Sequence, residues 1–253
     1  MNSRRREKRH HKDIKDKRHH RSHRRKDSFD KIPINDINRI NKSKREYIPK
    51  DFRVKIINKD PYIVKIKNFL TSREVKELVK LAEKNGFERS NIVIDNKLIY
   101  DEMRTSKTSY LLEDGCPYKY SKNIENLIKR ICYLMDCKRE QIEGLMCVKY
   151  EGGEYFETHV DFFSTDDVDL LEDAGNRIFT FFAYLNNVDR GEGGETEFPQ
   201  LEIKSRPVKG DAIGWWNFVR GEKKRNTLHR GLPPTEGHIK YGLNIWIREK
   251  SFF

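Results

Sequence analysis

Residues 149–163 read Lys-Tyr-Glu-Gly-Gly-Glu-Tyr-Phe-Glu-Thr-His-Val-Asp-Phe-Phe, with His159-Val160-Asp161 near the end. Side chains alternate between the two faces of a β-strand. A strand here would therefore point His159 and Asp161 the same way, with Cα atoms roughly 6–7 Å apart. One imidazole and one carboxylate on one face supply two of the three ligands of a 2-His-1-carboxylate iron site. This stretch therefore predicts part of a metal centre.

Few residues are available to complete such a site. Beyond the N-terminal region the chain has three histidines, His159, His229 and His238. His229 lies in a short strand-like segment before a Pro-Pro turn. Strands that are distant in sequence lie side by side in a jelly roll, so His229 is a geometrically reasonable third ligand. A single histidine is more often structural than metal-binding, so neither His159 nor His229 carries this prediction alone.

Lys240 is the cation that opens an otherwise apolar strand, Tyr241–Arg248. A lysine in that position could bind a carboxylate inside a barrel. The alternative is an ordinary solvated lysine at the end of a strand.

Hydrophobic spacing predicts helices first and strands afterwards. Apolar residues recur at helical spacing from a cap at Ser72 to a stop at Gly86, and again over Ser121–Met135. Before and between these helices, strands are predicted at Tyr62–Ile66, in a hairpin over Ile92–Tyr100, and at Arg104–Leu112. Later strands are predicted at Leu145–Tyr150, Tyr155–Phe163, Arg177–Asn186, Glu195–Phe198, Asp211–Asn217, Thr227–Arg230 and Tyr241–Arg248. This order predicts an α+β fold: a double-stranded β-helix (jelly roll) core with the N-terminal helices packed on one sheet.

The charge is concentrated at the N-terminus. Residues 1–26 hold 13 Lys or Arg and three acids, which gives ten of the twelve net positive charges. Residues 1–50 are accordingly predicted to be a basic disordered tail, and residues 60–253 the folded domain. The segment Arg4–Lys26 is typical of a nucleic-acid-binding arm or a targeting signal, and equally of a solubilising tail.

Several features bear on the compartment. No apolar run approaches 18 residues, and the N-terminus lacks the apolar core of a signal peptide. Four cysteines occur without metal-knuckle spacing, which fits a reducing compartment or buried small hydrophobes. We therefore expect a cytoplasmic or nuclear protein without membrane contact. The acidic segment Ser164–Gly175 is predicted to be a solvated loop, with a lid beside the site as the alternative.

The ordered set of His159, Asp161, His229 and Lys240 resembles the iron(II)- and 2-oxoglutarate-dependent dioxygenases, specifically the prolyl 4-hydroxylase group. The resemblance covers about residues 60–250 and includes flanking motifs in the same order. These motifs are Met103-Arg104-Thr105-Ser106, Val148–Glu151, Arg177–Thr180, Gly193–Pro199, Lys209–Ala212 and Trp215-Trp216-Asn217.

The resemblance implies a role for each residue of the candidate site. His159, Asp161 and His229 would bind Fe(II), and Lys240 would pair with the distal carboxylate of the cosubstrate 2-oxoglutarate. The implied reaction uses dioxygen, releases succinate and carbon dioxide, and hydroxylates peptidyl proline, with ascorbate as a candidate reductant. The remaining implied roles are hydrogen bonds to 2-oxoglutarate from Tyr150 and Thr180, and a substrate groove lined by Trp216, Phe156 and Arg104.

The chain departs from the group in three places. Phe156 stands three residues before the first iron histidine, where a tyrosine is common. The interval from His229 to Lys240 is one residue longer than usual, and Tyr241 replaces a common tryptophan. The alternatives are therefore the same chemistry on another side chain or on nucleic acid, as in oxidative demethylation, and a non-enzymatic protein that binds nucleic acid through its tail.

Overall fold

The computed structural model describes residues 47–252, except residues 95–96, 113, 115–120, 165 and 220–221. The described chain is rich in sheet and has few helices. Its helices are α1 (Ser72–Asn85), α2 (Lys122–Met135) and α3 (Val168–Ala174). Its first strands are β1 (Arg53–Lys59), β2 (Tyr62–Lys67), β3 (Glu88–Arg89), β4 (Ile92–Ile94), β5 (Lys97–Ile99), β6 (Lys107–Tyr110), β7 (Met146–Tyr150) and β8 (Phe156–His159). The later strands are β9 (Arg177–Tyr184), β10 (Thr196–Phe198), β11 (Ile203–Ser205), β12 (Ala212–Trp216), β13 (Phe218–Val219), β14 (Glu222–Lys223), β15 (His229–Gly231) and β16 (Lys240–Arg248).

Two antiparallel sheets organise these strands. The large sheet has eight strands in the order β1-β2-β12-β9-β16-β7-β6-β3, and the small sheet has four in the order β11-β10-β15-β8. The other strands form the hairpins β4–β5 and β13–β14. Most neighbours in the large sheet are distant in sequence, so side chains from remote segments meet on its faces.

The large sheet buries different partners on its two faces. Phe181 and Ala183 of β9 belong to the larger apolar cluster, together with Leu78 of α1 and Leu127 of α2. The adjacent Phe182 belongs to a second cluster that also contains residues of the small sheet. Alternation along β9 therefore directs one side chain toward the helices and the next toward the space between the sheets. The N-terminal helices α1 and α2 pack on one face of the large sheet, as the sequence predicted.

Both long helices have clear start signals. The Thr71 side chain accepts a hydrogen bond from the Glu74 N–H (3.2 Å), and the Glu74 carboxylate accepts one from the Thr71 N–H (2.7 Å). This capping box places the cap of α1 at Thr71, one residue before the predicted Ser72. Ser121 caps α2 by accepting from the Ile124 N–H (3.3 Å).

Two sequence predictions are wrong. Strand β1 lies before the domain boundary expected near Asp60. This edge strand is held by pairing with β2 and is rich in charged residues, so its hydrophobic signal is weak. The segment Ser164–Gly175 is not simply a solvated loop, because it contains α3. Arg248 anchors the end of α3 through a hydrogen bond from its Nε to the Gly175 carbonyl (3.0 Å).

Parts of the sequence predictions fall outside the described residues. They are the basic segment Arg4–Lys26 and the turn at Asp95-Asn96. Within the described residues, no helix combines the length and apolar character that a membrane span requires.

Candidate metal centre and groove

The structure brings His159, Asp161 and His229 together at the small sheet. His159 ends β8 and His229 begins β15, and the two residues are direct partners across this strand pair. One ligand atom from each of the three residues lies within 4.8 Å of the others. Asp161 Oδ1 is 3.9 Å from His159 Nε2 and 3.8 Å from His229 Nε2. Two imidazoles and a carboxylate therefore converge on one point.

The sequence predicted that alternation along a β-strand would point Asp161 to the same side as His159, and for Asp161 this explanation is wrong. Strand β8 stops at His159, so alternation along a strand does not orient Asp161. Its carboxylate is instead held by Thr180, whose hydroxyl donates to Asp161 Oδ2 (2.6 Å). Asn217 Nδ2 in turn donates to the Thr180 hydroxyl (3.0 Å). This leaves Oδ1 directed at the two imidazoles.

Backbone carbonyls fix the orientation of both imidazole rings. His159 Nδ1 lies 2.7 Å from the Glu157 carbonyl oxygen, and His229 Nδ1 lies 3.0 Å from the Thr227 carbonyl oxygen. A carbonyl oxygen can only accept, so each Nδ1 carries the ring hydrogen. Each Nε2 therefore faces Asp161 and is the nitrogen that carries the lone pair in a neutral ring, which is the arrangement that metal-binding histidines use.

Burial and neighbouring groups together set the charges of His159 and Asp161. Burial, and then the neighbouring His229, lower the pKa of His159 to about 3, so its imidazole is neutral at physiological pH. Burial alone would raise the pKa of Asp161. Its interactions with His229 and His159 and the hydrogen bond from Thr180 outweigh burial and hold this pKa below its usual value. Neutral imidazoles and an ionised carboxylate are the protonation states that a metal requires. The donor set fits Fe(II) in a 2-His-1-carboxylate site.

Lys240 is a buried cation beside this cluster. Its side chain is 0% exposed, and Nζ has no hydrogen-bond partner in the described part of the chain. Nζ lies 4.7 Å from the centre of the Tyr150 ring and 5.1 Å from that of Phe182. Burial lowers the pKa of Lys240 to about 7. A bound carboxylate would supply the missing partner, so this position fits a dicarboxylate such as 2-oxoglutarate.

A small cavity of about 40 Å³ joins Lys240 to the metal cluster. Tyr150, directly opposite Lys240 in the strand pair β7–β16, lines this cavity, which agrees with its predicted place. Thr180 is not among the lining residues. The sequence predicted that the Thr180 hydroxyl would donate to the cosubstrate. In the structure it donates to Asp161 instead.

Trp216 is also placed differently from the prediction. It belongs to the cluster on the helix face of the large sheet, where its ring meets Phe179 edge-on at 5.0 Å. The neighbouring Trp215 faces the metal cluster, with its ring 4.5 Å from that of His229. Both faces of β12 are buried, so the sequence did not show which tryptophan points inward.

A larger cavity of about 820 Å³ forms a groove beside His159 and Asp161. Phe156 and Arg104, both predicted here, line it. The Phe156 ring stacks on His159 with centroids 3.5 Å apart, and the Arg104 guanidinium lies 4.7 Å from the Phe156 centroid. The groove therefore leads directly to the candidate metal ligands.

Two further groove residues were missed by sequence reasoning. Arg177 lies 3.6 Å from the centre of the Trp246 ring, and both side chains line the groove. Arg177 donates two hydrogen bonds of 2.7 Å to the Glu143 carboxylate. Arg177 opens the apolar strand β9 just as Lys240 opens β16, so the signal that identified Lys240 was also present here.

Comparisons with known proteins agree with this geometry. Residues 145–248 match the family described as the 2OG-Fe(II) oxygenase superfamily. The chain is 31% identical over 208 residues to probable prolyl 4-hydroxylase 6 of Arabidopsis thaliana, covering 74% of this chain and 68% of the relative. It is 32% identical over 201 residues to human prolyl 4-hydroxylase subunit alpha-3, covering 78% of this chain and 35% of the relative. The chain thus spans about a third of the length of the human subunit.

The fold also resembles a solved structure over much of the chain. That structure is the viral collagen prolyl hydroxylase of Paramecium Bursaria Chlorella virus-1 in complex with 2OG. The TM-score is 0.58 at 27% sequence identity, and the match covers 76% of this chain and 98% of the viral chain.

Proposed function

Since this chain belongs to the prolyl 4-hydroxylase family of 2OG-Fe(II) oxygenases, we propose that it hydroxylates proline residues in a protein substrate. The proposal is carried by Lys240, which lies beside the cluster of His159, Asp161 and His229 and has no hydrogen-bond partner for Nζ in the part of the chain that the structure describes. Family membership also supports a jelly roll formed by the two sheets.

The proposed reaction requires the protein to bind a metal ion and a cosubstrate. When bound, Fe(II), 2-oxoglutarate and dioxygen supply the oxidation, with succinate and carbon dioxide as the other products. His159 Nε2, His229 Nε2 and Asp161 Oδ1 would hold the metal, because these atoms face one another. Thr180 would keep Asp161 in place through its hydrogen bond to Oδ2.

Lys240 would pair with the distal carboxylate of 2-oxoglutarate. The surrounding rings of Tyr150 and Phe182 exclude water, so this pairing would be much stronger than one at the surface. The charged lysine would in turn gain a hydrogen-bonded partner, which none of the described residues gives it.

The groove would position the substrate. Its proximity to His159 and Asp161 would bring a bound peptide to the metal. Phe156 would present an apolar ring to the proline, without the hydroxyl that a tyrosine would offer. The proposed substrate contact therefore relies on packing, with Arg104 held behind the ring by a hydrogen bond to the Asn91 carbonyl (3.1 Å).

A peptide-library screen read by mass spectrometry tests this function. We expect proline-containing peptides to gain one oxygen atom in the presence of Fe(II), 2-oxoglutarate and ascorbate, with matching succinate formation. His229→Ala should reduce this product to background, because the metal loses a ligand. His238→Ala is the matched control, since this histidine is about 40% exposed and pairs with Glu192 away from the cluster.

The same assay, extended to methylated oligonucleotides and to binding of iron and 2-oxoglutarate, separates the alternatives. Oxygen added only to Lys- or Asn-bearing peptides, or turnover only of methylated oligonucleotides, would overturn the proline assignment. Binding of iron and 2-oxoglutarate without turnover of any peptide would also contradict it.

A further inference from the structure

The C-terminal end of α2 has a specific turn geometry. Asp136 follows the helix in the left-handed conformation (φ 48°), and the Cys137 N–H donates to the Cys132 carbonyl (3.2 Å). A hydrogen bond from the second residue after a helix to the third residue before its cap is the signature of a Schellman motif. This motif brings the side chains at those two positions into contact, and here both are cysteines.

The two thiols interact with each other. The Schellman turn places the Cys132 and Cys137 side chains next to each other, and neither forms a disulfide in this structure. Both are half-buried and pack against the apolar cluster on the helix face. Cys147, by contrast, is fully buried. The pair therefore combines mutual contact with partial access to solvent, which an inert core thiol lacks.

The local environment favours reaction at Cys132. The hydrogen bond from Cys137 lowers the pKa of Cys132 despite the opposing effect of burial, and the charge of Arg139 adds to it. The pKa of Cys137 is raised, first by the same hydrogen bond and then by burial. Cys132 is thus the more easily formed thiolate, and Cys137 remains a neighbouring thiol.

We propose that Cys132 and Cys137 form a reversible redox pair, which a low-molecular-weight disulfide such as oxidised glutathione converts to an intramolecular disulfide. The Cys132 thiolate attacks one sulfur of oxidised glutathione and releases one glutathione thiolate. The sulfur of Cys137 then attacks the mixed disulfide and releases the second glutathione. Two electrons and two protons leave the protein in two reduced glutathione molecules.

The two cysteines lie just before a segment that contacts strand β16 near the groove. Gln141, four residues after Cys137, donates from Nε2 to the Arg248 carbonyl (3.0 Å). The Glu143 N–H donates to the carbonyl of Trp246 (3.0 Å), a groove residue. A disulfide would therefore close the turn that leads from α2 into this segment.

Mass spectrometry of the full chain tests this proposal directly. Trypsin cuts after Arg130 and Lys138, so both cysteines lie in the single peptide Ile131–Lys138. After incubation at rising ratios of oxidised to reduced glutathione, followed by alkylation, we expect this peptide to lose two hydrogen atoms and to resist alkylation. Dithiothreitol should restore two alkylated sites. Cys137→Ser should trap glutathione on Cys132, because the resolving thiol is absent.

Cys147→Ser and Cys116→Ser are the controls and should leave the oxidation of the Ile131–Lys138 peptide unchanged. Two alkylated sites at every glutathione ratio would overturn the proposal. So would a disulfide from Cys132 to Cys116 or Cys147, or a glutathione adduct that persists in the wild-type chain. Proline hydroxylation is not measured, so the result is independent of the proposed function.

Discussion

Two buried cations lie on opposite faces of the large sheet, and they differ in their partners. Arg130, 1% exposed, donates to the Glu74 carboxylate (2.8 and 3.1 Å), the Phe69 carbonyl (2.9 Å) and the Tyr47 carbonyl (2.6 Å). Lys240 is 0% exposed, and its Nζ has no hydrogen-bond partner among the described residues. The fold thus satisfies one cation completely and leaves the other without a bond.

This difference is what we expect between a buried charge that stabilises the fold, such as Arg130, and one proposed to bind a ligand, such as Lys240. Removing a charge from water costs several kcal/mol unless hydrogen bonds and an opposite charge replace the lost hydration. Arg130 receives both from the protein. Among the described residues Lys240 receives neither by direct contact, and the proposed function assigns its partner to a bound ligand. Mutations at the two positions should therefore have opposite effects on stability.

The largest expected change in stability follows from Arg130→Met. This variant leaves the Glu74 carboxylate buried without its partner, so we expect the free energy of unfolding to fall by about 3–5 kcal/mol. Urea unfolding measures the loss. Adding Glu74→Gln should restore most of it, because glutamine removes the charge and still accepts from the Thr71 N–H at the helix cap. A loss below about 1 kcal/mol would show that the pair is not structural.

Lys240→Met should act in the opposite direction. Removing a buried amine whose pKa has fallen from 10.5 to about 7 should raise the free energy of unfolding of the ligand-free protein by about 2–4 kcal/mol near pH 7. Calorimetric binding of 2-oxoglutarate should disappear in the same variant. Lys149→Met is the control, since Lys149 is paired with Glu151 (2.9 Å) and should change stability by less than about 1 kcal/mol. A destabilised Lys240→Met would contradict the comparison.

The sequence singled out Lys240 more readily than Arg130. Lys240 stands out because it opens a long apolar strand, and the folded part of the chain has few histidines that could join it. Arg130 looks like one more charged residue of an amphipathic helix. Its partner Glu74 is 56 residues away, and only the packing of the two helices on the sheet brings them together.

The remaining errors have a common physical origin. Trp215 and Trp216 are adjacent in a strand buried on both faces, so alternation does not say which one faces the metal cluster. Thr180 was correctly expected near the site, but its hydrogen bond to Asp161 depends on where the chain turns after β8. Such turns are set by tertiary contacts that local pattern does not encode.

A smaller effect is expected from Thr180→Val, which tests whether Asp161 is held in place for a metal. The hydroxyl that donates to Asp161 Oδ2 is lost, while the shape of the side chain is nearly kept. Loss of such an outer contact typically weakens metal affinity about 10–100-fold. A metal titration of the Fe(II) site measures the change, with Thr235→Val at an exposed position as the control. Unchanged affinity would mean that Asp161 does not need this contact.

The smallest expected effect is the change in unfolding free energy per pH unit. The pKa of Lys240 is about 7 in the folded protein and near 10.5 when unfolded, so between these values the unfolded chain holds a proton that the native chain lacks. Stability should therefore rise with pH across this interval, by up to about 1.4 kcal/mol per pH unit. The difference in unfolding free energy between wild type and Lys240→Met isolates this contribution, because other titrating groups are common to both. Saturating 2-oxoglutarate should flatten the wild-type slope near pH 7, since its carboxylate stabilises the charged lysine. Parallel pH profiles for the two ligand-free proteins would mean that Lys240 is hydrated in solution, and the contrast with Arg130 would then fail.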